Sequence, residues 1–187
     1  MIAREFLRLH SANTEDMLTD AAVHVLAAGG AEALSLKAVA RWLRVTPARV
    51  SQMVTRDRLP FVVTARFALR WTDWIEERWQ AEGVMALLPT GPAEVAGVRV
   101  WLALSEIARA REDCAELLSA ANTRERARLD ALPLSERHVD LVLAATEGLR
   151  TALCRGDAPM TPAQARDVLA LAVDLLPTPS NRPITSR

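Results

Sequence analysis

Six basic residues, Lys37, Arg41, Arg44, Arg49, Arg56 and Arg58, fall in a stretch that holds a single acid, Asp57. Six cations less one anion give it +5, whereas the whole chain balances 23 Lys and Arg against 23 Asp and Glu, so the remainder carries −5. Charge asymmetry of this kind points to a segment that meets a polyanion; the plain alternative is a solvated helix face. The residue types favour the polyanion. Arg49 and Gln52 are side chains able to make bidentate contacts to guanine and adenine edges in a major groove. Thr46, Ala48 and Ser51 share their face of a short helix, and Ser35, Lys37, Arg41, Arg56 and Arg58 flank it, where they could meet phosphates.

No other constellation competes as chemistry. His10, His24 and His138 are isolated, without the HxxxH or HExxH spacing of a metal site. Ser119, Cys114 and Cys154 lack a local nucleophile signature such as GxSxG, and seven scattered glycines form no phosphate-cradling loop. An enzyme is therefore set aside, and no metal or cofactor is expected. Two distant cysteines fit free thiols in a reducing compartment. No window is long and apolar enough to span a bilayer, and the charged N-terminal run does not read as a signal peptide, so the expectation is a soluble, cytoplasmic protein without a membrane partner.

The elements that must position these residues read as helices. Ten prolines sit at segment edges, and between them apolar residues recur at spacings of three and four, which predicts an all-α chain of about nine helices. The first starts at Asn13 or Thr14, carries Met17, Leu18, Ala21, Ala22, Val25 and Leu26, and stops at Gly29-Gly30. A short helix follows from its cap Ser35, then a turn at Arg44-Val45, then a second short helix from Thr46-Pro47 to about Val54. A long helix runs from Arg58 to Gln80 with Asp57 as cap. Beyond the break at 88–92 come a very apolar helix over 92–109, shorter ones over 113–120 and 123–132, one from Ser135 to Cys154, and one from the Thr161 capping box to Leu176. Residues 177–187 have nothing to bury.

Two short helices joined by a tight turn, the second polar on one face, make a helix-turn-helix. Val39, Leu43, Val45, Val50 and Val54 are the residues expected to hold the pair to the first helix, and Ala40 permits close approach. On these residues the stretch AAVHVLAAGGAEALSLKAVARWLRVTPARV resembles the first three helices of TetR-type transcriptional regulators, and LVLAATEGLRTALCRGDAPMTPAQARDVLALAVDLL is similar to that family's last two. The resemblance spans about residues 13–176. It implies a DNA-binding head over 13–57, an effector-binding and dimerising body over 58–176, an N-terminal extension at 1–12 and a tail at 177–187. It also implies a homodimer on a pseudo-palindromic site of double-stranded DNA, acting as a repressor released by a small apolar effector. The chain departs from the family at Ser51, where a Tyr is usual, at Val54, where an aromatic is common, at Arg44 in place of the turn's Gly, and at Asp57, near the usual basic residue. The same segment also looks like excisionase-type modules, although a helix follows here where those have a β-wing.

For the effector, Phe67, Trp71, Trp74 and Arg78 form one stripe of the long helix, and Trp101, Leu102 and Ser105 lie on the apolar helix after it. These residues, with His138, Arg99 and Glu106, could wall an apolar pocket with a few orienting polar groups; plain core packing is the alternative for each. For the dimer, Leu141, Val142, Ala145, Leu149 and Ala152 face Ala165, Val168, Leu169, Ala172 and Leu176 on Leu/Ala-rich stripes that suit an isologous two-fold pairing, or else an internal core. In the extension, Ile2, Phe6, Leu7 and Leu9 could pack while Arg4 and Arg8 reach phosphate. A different class stays open: a helical adaptor whose degenerate helix-turn-helix binds protein instead of DNA.

Overall fold

Capping chemistry sets the helix ends. The computed structural model describes residues 14–156 and 160–176 of the chain. The N-terminal extension with Arg4, Arg8 and His10, the Asn13 cap and the tail over 177–187 lie outside the described residues. Helix α1 spans Thr14–Gly29, with Glu15 and Asp16 in its first turn, where carboxylates meet the positive end of the helix dipole. It stops at the double glycine. Gly30 takes φ 70°, and a Cβ on Gly29 would come within 2.7 Å of the Ala33 Cβ.

Helix α2, Leu36–Leu43, is capped by the Ser35 hydroxyl, which accepts from the Ala38 amide. Helix α3, Pro47–Met53, is capped by Thr46, whose hydroxyl accepts from the Arg49 amide, with Pro47 at the first helical position. Between them Arg44 adopts φ 58° and ψ 39°, the left-handed conformation that closes a helix on its own last carbonyls. The amides of Arg44 and Val45 donate to Arg41 and Ala40. Arg44 thus occupies the position for which glycine is the ordinary choice. Val45, expected to help hold the head together, is turned outward by this geometry and is 41% exposed.

Helix α4 runs Leu59–Glu82. Asp57 does not cap it; the Thr55 hydroxyl accepts from the Arg58 amide instead. A 3₁₀ turn at Gly83–Leu87 follows, and α5 spans Pro92–Ala108. Helix α5 is very apolar, yet Arg99 and Glu106, expected beside the effector, are exposed on it. Helix α6 is a single helix, Glu112–Asp130, where two were expected. The stretch holds no Gly or Pro to break it, and the Thr123 hydroxyl donates to the Ser119 carbonyl inside the helix rather than capping a new one. Helix α7, Glu136–Leu153, is capped by Ser135, and α8, Pro162–Asp174, opens with a complete capping box. The described residues therefore form eight α-helices, and no strand.

One apolar cluster joins all of them. Leu18, Leu26, Val39, Ala40 and Val50 bring α1, α2 and α3 together, and α4 carries the core onward through Val63, Phe67, Trp71 and Ile75. Threonines on these buried faces turn their hydroxyls back on the helix, as Thr64 does to the Pro60 carbonyl and Thr72 to Ala68. The long helix α4 packs most extensively on α6 and also touches α1, so it belongs to head and body alike.

Candidate nucleic-acid interface and effector cleft

Helix α3 points its apolar side into the head through Val50, fully buried, and half-buried Met53. A seven-residue helix with that inward side must present the other outward. Thr46, Ala48, Arg49, Ser51 and Gln52 are all exposed, as are Ser35, Lys37, Arg41, Arg56 and Arg58 around them. The Arg49 Nη1 donates to Gln52 Oε1 at 3.3 Å, one helical turn on, which holds these two side chains side by side. Ser51 instead donates to the Ala48 carbonyl at 2.9 Å, so its hydroxyl lies against the helix. Sequence reasoning passed over Trp42, which is 39% exposed on α2 and stacks on His24 of α1 at 4.8 Å between ring centroids.

None of the six basic residues from Lys37 to Arg58 makes an ion pair among the described residues; Arg49 has the neutral Gln52 amide and Arg58 lies over the Phe61 ring. The arginines just behind the head are different. Arg66 holds Glu15 at 2.6 Å, and Arg70 holds Asp16 at 3.3 Å and Asp20 at 2.5 Å. Burial pushes the Asp20 carboxyl up, against the pull of Arg70. The acids of α1 are thus matched by α4, and the cations of the head are left to the solvent.

In the body, the predicted aromatic stripe makes a packed core. Trp71 stacks on Trp101 at 5.1 Å and lies 5.0 Å from Trp74 and 6.0 Å from Phe67. The expected polar members are engaged elsewhere: Arg78 with Glu82 and the Leu88 carbonyl, Ser105 with the Trp101 carbonyl. Leu102 is half-buried on α5. His138 keeps a buried Nδ1 without a partner near the start of α7.

Beneath this core lies a polar network that sequence reasoning missed. The Trp71 indole donates to Glu125 Oε1 at 2.7 Å. Arg150 donates to both Glu125 oxygens at 3.1 and 3.2 Å and to the Leu87 carbonyl at 2.9 Å. Its guanidinium also stands 4.9 Å over the Trp71 ring. Both charged residues are almost wholly buried, at 3% and 2% exposure. The signal was present in the spacing: Glu125 continues the inward stripe Cys114, Leu118, Ala121 and Leu129 of α6.

The outer side of the Glu125–Arg150 pair floors a cleft of about 360 Å³ between α6 and α7. Ser119, Asn122, Thr123 and Arg126 line it from α6, and Leu143 and Glu147 from α7. None of the residues expected for an effector pocket lines it, although Trp71 reaches it through Glu125. No group of three or more metal-ligating side chains forms among the described residues, and no described helix is long and apolar enough to cross a membrane.

Several solved structures share this arrangement. A transcriptional regulator from Rhodococcus sp. Rha1 superposes with a TM-score of 0.76 at 20% identity, over 88% of this chain and 96% of that one. A second Rhodococcus protein, designated a TetR-family transcriptional regulator, gives 0.69 at 17% identity over 87% and 97%. The fold is that of TetR-type regulators. The multidrug binding protein EbrR, solved with ethidium, matches with a TM-score of 0.63 at 19% identity over 87% of this chain and 99% of that one. No protein-family model matches the sequence, and no curated protein matches it.

The TetR-type fold leaves α7 and α8 at the end of the body, and the predicted dimer stripes divide there. Val142, Leu149, Ala165 and Leu169 are buried within the chain's own core, unavailable to a partner. Leu141 and Val168 are about half exposed, and Leu171 and Leu175 are exposed at 60% and 73%. Ala145, Ala152, Ala172 and Leu176 are half-buried between the two sets. Gly148, exposed in the middle of α7, has nothing within 4 Å of where its Cβ would stand.

Proposed function

We propose that the chain is a ligand-responsive transcriptional regulator, a repressor that binds a pseudo-palindromic DNA operator as a homodimer and leaves it when a small effector binds. The observation that carries this is the exposed face of α3, Arg49 and Gln52 side by side, inside a ring of cations that make no ion pair among the described residues. A helix of this kind enters a major groove while its companion crosses the backbone. The exposed apolar residues of α7 and α8 support the two-fold pairing, which would set two α3 helices roughly 34–36 Å apart, one turn of DNA.

The cleft supports the effector role, and so does the ethidium complex of EbrR, a protein of the same fold. Helix α6 offers a link to the head. It carries the cleft wall at 119–126, and Arg111, at its N-cap, donates to the Asp57 carbonyl at 2.7 Å, just after α3. A ligand that shifts α6 would therefore act on the turn that joins the recognition helix to α4. Such coupling is a population shift of about 1–3 kcal/mol.

The test is selection of bound sequences from a random DNA pool by the purified protein. Enrichment of a two-fold-related site is expected, with log K falling by about 0.9 per neutralised phosphate as log salt rises. Arg49→Ala should relax one base position by about 1–3 kcal/mol. An unenriched pool would sink the DNA reading and leave the protein-binding adaptor.

A further inference from the structure

We propose that the cleft between α6 and α7 takes a compact organic monocation bearing N–H donors, a primary ammonium or an amidinium, with its charge against Glu147. The inference rests on the effector reading of this cleft and names the ligand's chemistry.

The argument is one of charge and of what the walls lack. Four ionisable side chains line the cleft, and three already have partners. Arg150 and Glu125 hold each other, and Arg126 holds Asp140 at 2.7 Å. Glu147 is exposed on α7, and among the described residues its carboxylate has neither an ion pair nor a hydrogen bond; its backbone carbonyl accepts from the Thr151 hydroxyl. The two arginines and two glutamates of the lining balance, but with Asp140 counted against the Arg126 it pairs, the charge left over is that of Glu147. An anionic ligand would have to displace a carboxylate from a guanidinium, whereas a cation meets a free carboxylate.

The kind of cation follows from the other groups. Asn122 and Ser119 offer side-chain oxygens that accept from N–H. No aromatic ring lines the cleft, and quaternary ammonium ions are recognised chiefly by aromatic faces. Leu143 gives the ligand's hydrocarbon part an apolar wall. A volume of about 360 Å³ is near the lower end for small-molecule sites, which suits one ring or a short chain.

The experiment is calorimetric titration of the full chain with four matched probes: benzylammonium, benzyl alcohol, benzyltrimethylammonium and benzoate. Methyl NMR of Leu143 reports whether the cleft is occupied. Benzylammonium should bind about tenfold or more tighter than the other three, the scale of a charge-assisted hydrogen bond. Glu147→Gln should remove that preference with an unchanged circular dichroism spectrum, and Glu147→Lys should reverse it toward benzoate. Equal binding of benzylammonium and benzyl alcohol with Leu143 shifts would overturn the cation class and leave the cleft standing. No Leu143 shift with any probe would overturn both. A preference for benzylammonium that survives Glu147→Gln would overturn the assignment to this carboxylate.

Discussion

Replacing Glu125 by leucine tests whether the network under Trp71 organises the body. The substitution keeps the side chain's bulk but removes the counter-charge of Arg150, which is 2% exposed. Leaving one partner of a buried ion pair alone typically costs about 3–5 kcal/mol. Two features decide where in that range the change falls. Arg150 keeps the Leu87 carbonyl as an acceptor, which moderates the loss. The Trp71 indole loses its acceptor, and a buried donor without a partner adds about 1–3 kcal/mol. Glu125→Leu should therefore lower stability by about 4 kcal/mol, or Tm by roughly 8–16 °C for a chain of this size. The double change Glu125→Leu with Arg150→Met should regain more than half of that, because no charge is then left in the core. Urea unfolding followed by near-ultraviolet circular dichroism measures this, at one fixed protein concentration so that any self-association contributes equally. A single mutant within 1 kcal/mol of the parent, or a double mutant as unstable as the sum of its singles, would refute the reasoning.

Three further outcomes follow from other contacts. Arg44→Gly should raise stability by up to about 1 kcal/mol, because a left-handed residue then carries no Cβ, and should reduce the salt slope of DNA binding by about 0.9; a fall in Tm would contradict it. Asp113, whose carboxyl the Arg111 guanidinium holds down to about 2 from 3.8, lends stability that is complete above about pH 4 and is lost as pH falls through the folded value. Asp113→Asn should flatten the decline of Tm between pH 4 and 2, and an unchanged profile would count against the contact. Gly148→Ala should stabilise α7 by roughly 0.5–1 kcal/mol, since nothing opposes the new Cβ. Gly148→Arg should give monomers in light scattering, and an intact dimer would place the two-fold face elsewhere.

Much of this fold is legible in the sequence because caps and turns are local. Ser35, Thr46, Ser135 and Thr161 each announce a helix whose start the structure puts one residue later. Where two local readings compete, packing decides. Asn122-Thr123 could cap a helix or sit within one, and the apolar stripe from Cys114 through Leu129 makes continuity the better burial. Periodicity also shows which way Phe67, Trp71 and Trp101 face without showing what they face. With Trp71 stacked on Trp101 and Phe67 tilted against it, they fill the space that a pocket would need. The cleft and its floor depend on two charged residues 25 positions apart on different helices. A charge on a helix reads as solvent-facing unless its place on the buried stripe is weighed above its type, and Glu125 is the case where place prevails.

The zero net charge of the chain has the same character: it is a sum over places that do not act together. The cations of α2, α3 and the following turn lie at one end of α4, a helix of 24 residues and so about 36 Å long. The screening length at physiological salt is about 8 Å. A phosphate meeting α3 therefore feels the head and almost nothing of the acidic remainder. Asp57 is already counted in the +5 of the head, and the acids of α1, Glu15, Asp16 and Asp20, are those that Arg66 and Arg70 hold. Releasing them should weaken DNA binding at a distance from any DNA contact. Arg70→Met would leave Asp16 and Asp20 unmatched behind the head, and operator affinity should fall most at low salt, where the screening length is greatest. Equal affinity of this variant and the parent at low ionic strength would mean that the head's field does not depend on its supporting ion pairs.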